Sequence, residues 1–124
     1  MSAPNLISKV EQMVAYLTEQ NWESFYPYFT ADLFYKVGAS EPMIGAQAAA
    51  EYLAKFYQIV KPADHVVRGA WQTDDRTVII EMDAHYHRLA DQKAILVPCC
   101  DVYRFKGDLI HEWRVYPDVA DIYK

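Results

Sequence analysis

Only two cysteines occur in the 124-residue chain, and they are neighbours, Cys99 and Cys100. Adjacent residues of a strand point to opposite faces, so the pair reads as two small buried hydrophobes in a reducing compartment. No CxxC spacing offers a metal or redox site. Glycine is scarce, four in all, and forms no phosphate-cradling loop. Lysines and arginines are scattered singly and the formal net charge is -5, so the clustered basic face that nucleic acid requires is missing. No apolar run approaches the roughly 18 residues of a membrane-spanning helix. The opening MSAPNLISKVEQ lacks an apolar signal core. These absences lead to the expectation of a cytoplasmic protein that binds neither nucleic acid nor membrane.

What is present suits a single domain over residues 1–124, long enough to bury a core without disulfide or metal staples. The aromatic share is high at 15%, with ten tyrosines. Tyrosine joins an apolar ring to a polar tip and so suits half-wet cavities and interfaces.

Over residues 5–20, Leu6, Val10, Met13, Val14 and Leu17 recur at helical spacing, with Pro4 suited to the first turn. Asn21 is placed to cap a short second helix in NWESFYPYF, which Pro27 disturbs. DLFYKV reads as a short strand. From Gly45 to Val60, Ala49, Leu53, Phe56 and Val60 repeat as a third helix. The period then changes to that of strands, at 65–72, 77–89, 93–105 and 109–118, joined by the turns TDD, ADQ and KGD. Strands this close in sequence predict an antiparallel meander. Helices first and sheet second is an α+β layout: three N-terminal helices packed on a curled antiparallel sheet, enclosing a pocket between the layers.

In 77–89 the apolar set Val78, Ile80, Met82, Ala84 and Tyr86 is expected to face inward, and Glu81, Asp83, His85 and His87 outward. A two-residue turn at Gly107-Asp108 would set Phe105 against Ile110, Tyr103 against Glu112, Asp101 against Arg114, Cys99 against Tyr116 and Val97 against Asp118. In that register Asp101, Glu112, Arg114 and Asp118 enter a largely apolar hollow.

The chain resembles the nuclear transport factor 2-like superfamily, in its SnoaL-like and ketosteroid isomerase-like branch. The resemblance is carried by VEQMVAYLTEQNWESFYPYF, GASEPMIGAQAAAEYLAKFY and VPCCDVYRFKGDLIHEWRVYPD, and it spans nearly the whole chain. It implies a conical fold with a deep pocket, and a homodimer. It also implies a small-molecule enzyme doing cofactor-free acid/base chemistry of the isomerase, cyclase or hydrolase type on an apolar ring-containing metabolite. The alternative is a non-catalytic binding or dimerisation module of the same fold.

Residue by residue, the base of ketosteroid isomerase-like enzymes would fall at Val37 and their first-helix tyrosine at Met13, so that activity is not expected. Asp101 matches their neutral oxyanion-donating aspartate, a group kept protonated by an apolar site, whereas an opposed Arg114 would favour the carboxylate. The acid/base of SnoaL-like cyclases falls at Asp118. Asp101, Arg114 and Asp118 also have the residue types, though not the order, of the Asp-Arg-Asp network of limonene epoxide hydrolase-like members.

The expected catalytic set is therefore Asp118 as acid/base, with Asp101 and Arg114 orienting the substrate. The structural alternatives are a strand-end Asp118 that accepts backbone N–H groups and a plain Asp101–Arg114 ion pair. The expected ligand wall is Tyr16, Trp22, Tyr35, Tyr52, Tyr57 and Tyr103, with Met82, Tyr86 and Tyr116 from the inward strand faces. As a set they favour an apolar or aromatic ligand over a sugar or nucleotide. His85 and His87 form a His-x-His pair on the polar strand face. Spacing places no third ligand beside them, so no metal and no cofactor is expected.

Overall fold

The computed structural model describes residues 5–123, so the role expected of Pro4 lies outside the described residues. Helix α1 (Leu6–Thr18) opens where the Asn5 side chain accepts the Ser8 N–H at 3.1 Å. Its stripe of Leu6, Val10, Met13 and Leu17 is buried. Asn21 caps α2 (Trp22–Phe25) in the same way, accepting the Ser24 N–H at 3.3 Å. Pro27 then tightens the chain into a 3-10 turn, Tyr26–Tyr28. Helix α3 (Ala46–Phe56) follows Gly45, whose φ of 93° favours glycine. It stops short of the expected Val60, which instead opens a strand that pairs with Arg88.

Among the described residues seven strands form one sheet: β1 (Phe29–Val37), β2 (Met43–Ile44), β3 (Val60–Pro62), β4 (Val66–Gln72), β5 (Thr77–Arg88), β6 (Ala94–Lys106) and β7 (Leu109–Pro117). The order is β2-β1-β7-β6-β5-β3, with β4 also on β5. Strands β4 to β7 make the antiparallel meander. The sheet as a whole is mixed, because β1 runs parallel to β7. Such pairing needs a long crossover, and α3 with strands β2 to β6 supplies it. The result is the α+β cone, three helices against a curled half-barrel. Along β5, Val78, Ile80, Met82 and Ala84 are buried toward the helices, as their alternation requires.

The β6–β7 hairpin turns at Gly107-Asp108, pairing Lys106 with Leu109 and Phe105 with Ile110. Beyond this point the expected register does not hold. His111 is an extra residue on β7, so Arg104 faces Glu112, Tyr103 faces Trp113 and Asp101 faces Val115. A bulge of one residue exchanges the two faces of the strand from there on. Trp113 enters the core at 2% exposure, and Glu112 and Arg114 turn outward. The physical reason is desolvation: the bulged register turns an indole and a valine inward where the other would turn two charges inward. On the outer face, Glu112 pairs with both Arg104 and Arg114.

Deleting His111 should remove the bulge and carry Trp113 to the solvent side. The expected outcome is a loss of at least about 3–5 kcal/mol, the range for emptying a large aromatic site, with a red shift of tryptophan emission. His111→Ala, which keeps the residue count, should cost no more than about 1 kcal/mol. Urea melts read by fluorescence test both.

Candidate functional site

The inner face of the sheet and helices α1 and α3 leave a cavity of about 110 Å³ between them. Asp101 lies in its wall, 7% exposed. Alternation along β6 places it inward, between Cys99 and Tyr103 on the same face. Its Oδ2 accepts the Tyr103 hydroxyl at 3.0 Å and the Trp113 Nε1–H at 3.3 Å. Its Oδ1 is buried without a hydrogen-bond partner among the described residues. The Cys99 thiol stands beside the carboxyl without satisfying that oxygen. Burial pushes the Asp101 pKa up to about 6, against the opposing pull of Trp113, Tyr103 and Cys99.

Three more tyrosines, Tyr35, Tyr57 and Tyr86, line the same cavity. Burial, with Asp101 next, holds the Tyr35 hydroxyl well above its ordinary value. Burial raises Tyr86 as well, followed by Tyr57, Cys99 and Asp101, and burial pushes Tyr57 up to about 12. All three stay protonated near neutrality and remain available as hydrogen-bond donors.

Of the expected ligand wall, Tyr35, Tyr52, Tyr57, Met82, Tyr86 and Tyr103 line the cavity. Tyr16 and Trp22 do not. Tyr16 packs on Tyr28 with ring centroids 6.2 Å apart, and Trp22 meets Phe25 edge-on at 5.3 Å. Tyr116 is 52% exposed, because the bulge turns it outward to pair with Cys100.

The expected partners of Asp101 also lie elsewhere. Arg114 faces Val102, bonds Glu112 at 3.0 Å and covers the Phe34 ring at 4.7 Å. Asp118 is exposed beyond the end of β7, where its carboxylate accepts the Ala120 N–H at 3.1 Å and caps a 3-10 turn, Ala120–Tyr123. Val37 lines the cavity without supplying a carboxyl, and Met13 is buried in the core. On the outer face Asp83 pairs with Arg68 at 2.6 Å. Among the described residues no three His, Cys, Asp or Glu side chains are placed to hold a metal ion. None of the described helices is long and apolar enough to cross a membrane.

Trp113 and His65 line the cavity against expectation, and Cys99, expected on the inner face, lines it as well. For Trp113 a signal exists: Trp113 and Val115 alternate with Glu112, Arg114 and Tyr116, which argues for the apolar pair facing inward.

Residues 10–113 match the model of the SnoaL-like domain. The chain belongs to the SnoaL-like domain family. Solved structures agree on the fold. A Catenulispora acidiphila protein of ketosteroid isomerase-like fold, in complex with trimethylamine, superposes with a TM-score of 0.79 at 18% identity, over 98% of this chain and 91% of that one. An LEH-like epoxide hydrolase of M. tuberculosis gives 0.76 at 19% identity, covering 95% of this chain and 86% of its own. A candidate SnoaL-like polyketide cyclase of Shewanella putrefaciens gives 0.80 at 13% identity, covering 94% and 92%. Among curated proteins, none matches the sequence.

In this SnoaL-like domain the raised pKa of Asp101 has a consequence for stability. Its ordinary value of 3.8 rises to about 6 on folding. Between these values the folded state holds a proton that the unfolded state has lost. The stability associated with this group is therefore fully present below about pH 4 and declines as pH rises toward 6, by at most about 3 kcal/mol. Asp101→Asn should lack this decline. Urea melts at about pH 4 and pH 7 should show the variant gaining on the wild type by ~2–3 kcal/mol at the higher pH. Parallel pH profiles would mean that Asp101 is not desolvated.

Proposed function

We propose that this SnoaL-like domain is a cofactor-free acid/base enzyme for a small, largely apolar carbonyl compound, with Asp101 as the group that takes and returns the proton. The observation that carries the reading is the division of labour within one carboxyl. Tyr103 and Trp113 hold Oδ2, and Oδ1, buried in the cavity wall, has no hydrogen-bond partner among the described residues. A general base needs a free lone pair and a pKa near the working pH. Desolvation without a neighbouring cation supplies the second condition.

In the simplest reaction, of the type that ketosteroid isomerase-like enzymes perform but with Asp101 serving in place of the base missing at Val37, the base removes a proton from the carbon between a carbonyl and an isolated double bond. The electron pair moves into the enolate, and the same proton returns to the γ carbon. The product is the conjugated enone, and nothing is consumed. The hydroxyls of Tyr35 and Tyr86 lie close enough to the carboxyl to feel its charge, and they support the reading as donors to the enolate oxygen. The cavity of about 110 Å³ is smaller than the engineered one of about 150 Å³ that accepts benzene. The enclosed part of a substrate is therefore a few heavy atoms, and any larger ring system extends into the mouth.

A second reading is a binding module for a small cation. The unpartnered Oδ1 among aromatic rings favours it, since such a site suits an ammonium group. The trimethylamine in the Catenulispora protein points the same way. Under either reading two copies pair through the outer face of the sheet. The exposure of Trp71, Leu96 and Tyr116 on that face supports this.

Isomerisation of a β,γ-unsaturated cyclopentenone, followed by the absorbance of its conjugated product, tests the first reading. Asp101→Asn should lower kcat by about 10²–10⁴-fold, and Asp118→Asn should leave it within about twofold. A wild type that does not isomerise this probe, yet gains melting temperature with trimethylammonium only when Asp101 is present, establishes the second reading instead.

A further inference from the structure

His65 belongs to two hollows at once. It lines the Asp101 cavity, and it also lines an outer groove of about 420 Å³ beside α1. Val14, Thr18 and Met82 are shared by the same two hollows. These four side chains form the partition between the cavity and the outside.

The loop that carries His65, residues 63–65, is clamped to β5 at a single residue. Ala63 donates its N–H to the His85 carbonyl at 2.7 Å, and His85 donates its own N–H to His65 Nδ1 at 3.0 Å. The imidazole thus stands in for a backbone carbonyl where the β3–β5 ladder ends and the β4–β5 ladder begins. Its ring lies edge-on to Tyr86, centroids 5.2 Å apart.

This arrangement fixes the chemistry of the ring. A nitrogen that accepts an amide N–H keeps its lone pair, so the neutral imidazole carries its proton on Nε2. Burial, and then His85, lowers the His65 pKa against the opposing effect of Asp64, so the neutral ring prevails at neutral pH. Nε2–H has no hydrogen-bond partner among the described residues. An asparagine oxygen would complete the β5 ladder equally well. What imidazole adds is a second nitrogen, facing away from β5 and carrying a proton.

We infer that His65 donates Nε2–H to an oxygen acceptor on the ligand at the mouth of the cavity, which makes it a specificity-determining residue for carbonyl- or ether-bearing compounds over hydrocarbons. The inference rests on the proton-transfer reading of the cavity. Asp101 takes the proton from carbon, and a neutral donor whose tautomer is set by a backbone amide joins its neighbour Tyr86 at the ligand oxygen.

The test uses cyclopentanone and its hydrocarbon counterpart methylenecyclopentane as probes on the full chain labelled with 15N-histidine. The wild type should show His65 protonated on Nε2, with that resonance shifting on addition of cyclopentanone and not of methylenecyclopentane. His65→Asn keeps the acceptor for the His85 amide and loses the outward donor. It should melt with the wild type, weaken cyclopentanone by about tenfold in Kd and leave methylenecyclopentane unchanged. His65→Gln, whose amide nitrogen reaches the place of Nε2, should recover part of the cyclopentanone affinity. The inference is overturned by a ring protonated on Nδ1, by a wild type that does not bind cyclopentanone, or by equal weakening of both probes in His65→Asn. Should Asp101→Asn isomerise as fast as the wild type, the proton-transfer reading fails, and the probe pair still decides the His65 contact separately.

Discussion

A carboxyl group held in an apolar hollow with donors on one oxygen only is the constraint around which the rest of this domain is arranged. Desolvation disfavours its charge, so the walls must compensate on one side and stay silent on the other. The compensating side is aromatic. Trp113 donates to Asp101 and at the same time packs against Tyr103 at 5.4 Å, Tyr35 at 4.7 Å and Phe29 at 6.0 Å. One indole therefore ties β6, β7 and β1 together at the place where the carboxyl is held. The bulge at His111 is what delivers that indole.

The same bulge explains which parts of the molecule could be read from sequence. Helix stripes were legible because Leu6, Val10, Met13 and Leu17 repeat without interruption. The inward face of β5 and the inward position of Asp101 were legible because alternation on long strands is unambiguous. The hairpin turn was legible from Gly107-Asp108. The register beyond it was counted from the turn, and a single inserted residue has no compositional signature. Arg114, Glu112 and Tyr116 were assigned to the cavity on that count alone, and they left it together. Asp118 is placed there by the same count and by the resemblance to SnoaL-like cyclases; it lies past the strand end, where the chain has turned into a cap.

Two other features had no local signal at all. Nothing in Phe29–Val37 states which strand it will pair with, or in which direction. Nothing in PADH states that an imidazole will complete a strand ladder. Both depend on elements distant in sequence: β7 for the first, the His85 amide for the second. Removing Arg114 from the cavity also changes the chemistry. With a guanidinium opposite, Asp101 would be a fixed carboxylate. Without it, the group lies within reach of both protonation states, and the cost in stability falls on the surrounding core. Sites of this kind are where proteins commonly give up stability for function.

The parallel pairing of β1 with β7 bears on the order in which the molecule can assemble. Phe29 and Ile110 are partners although about eighty residues separate them. Closing so long a loop is slow compared with forming the local β4–β7 hairpins. On a ribosome, helices α1 and α2 and strand β1 emerge early and wait, with Leu33 and Tyr35 unsheltered, until the final strand is released. The cavity thus comes into being only once β7 has been made and β1 has found it.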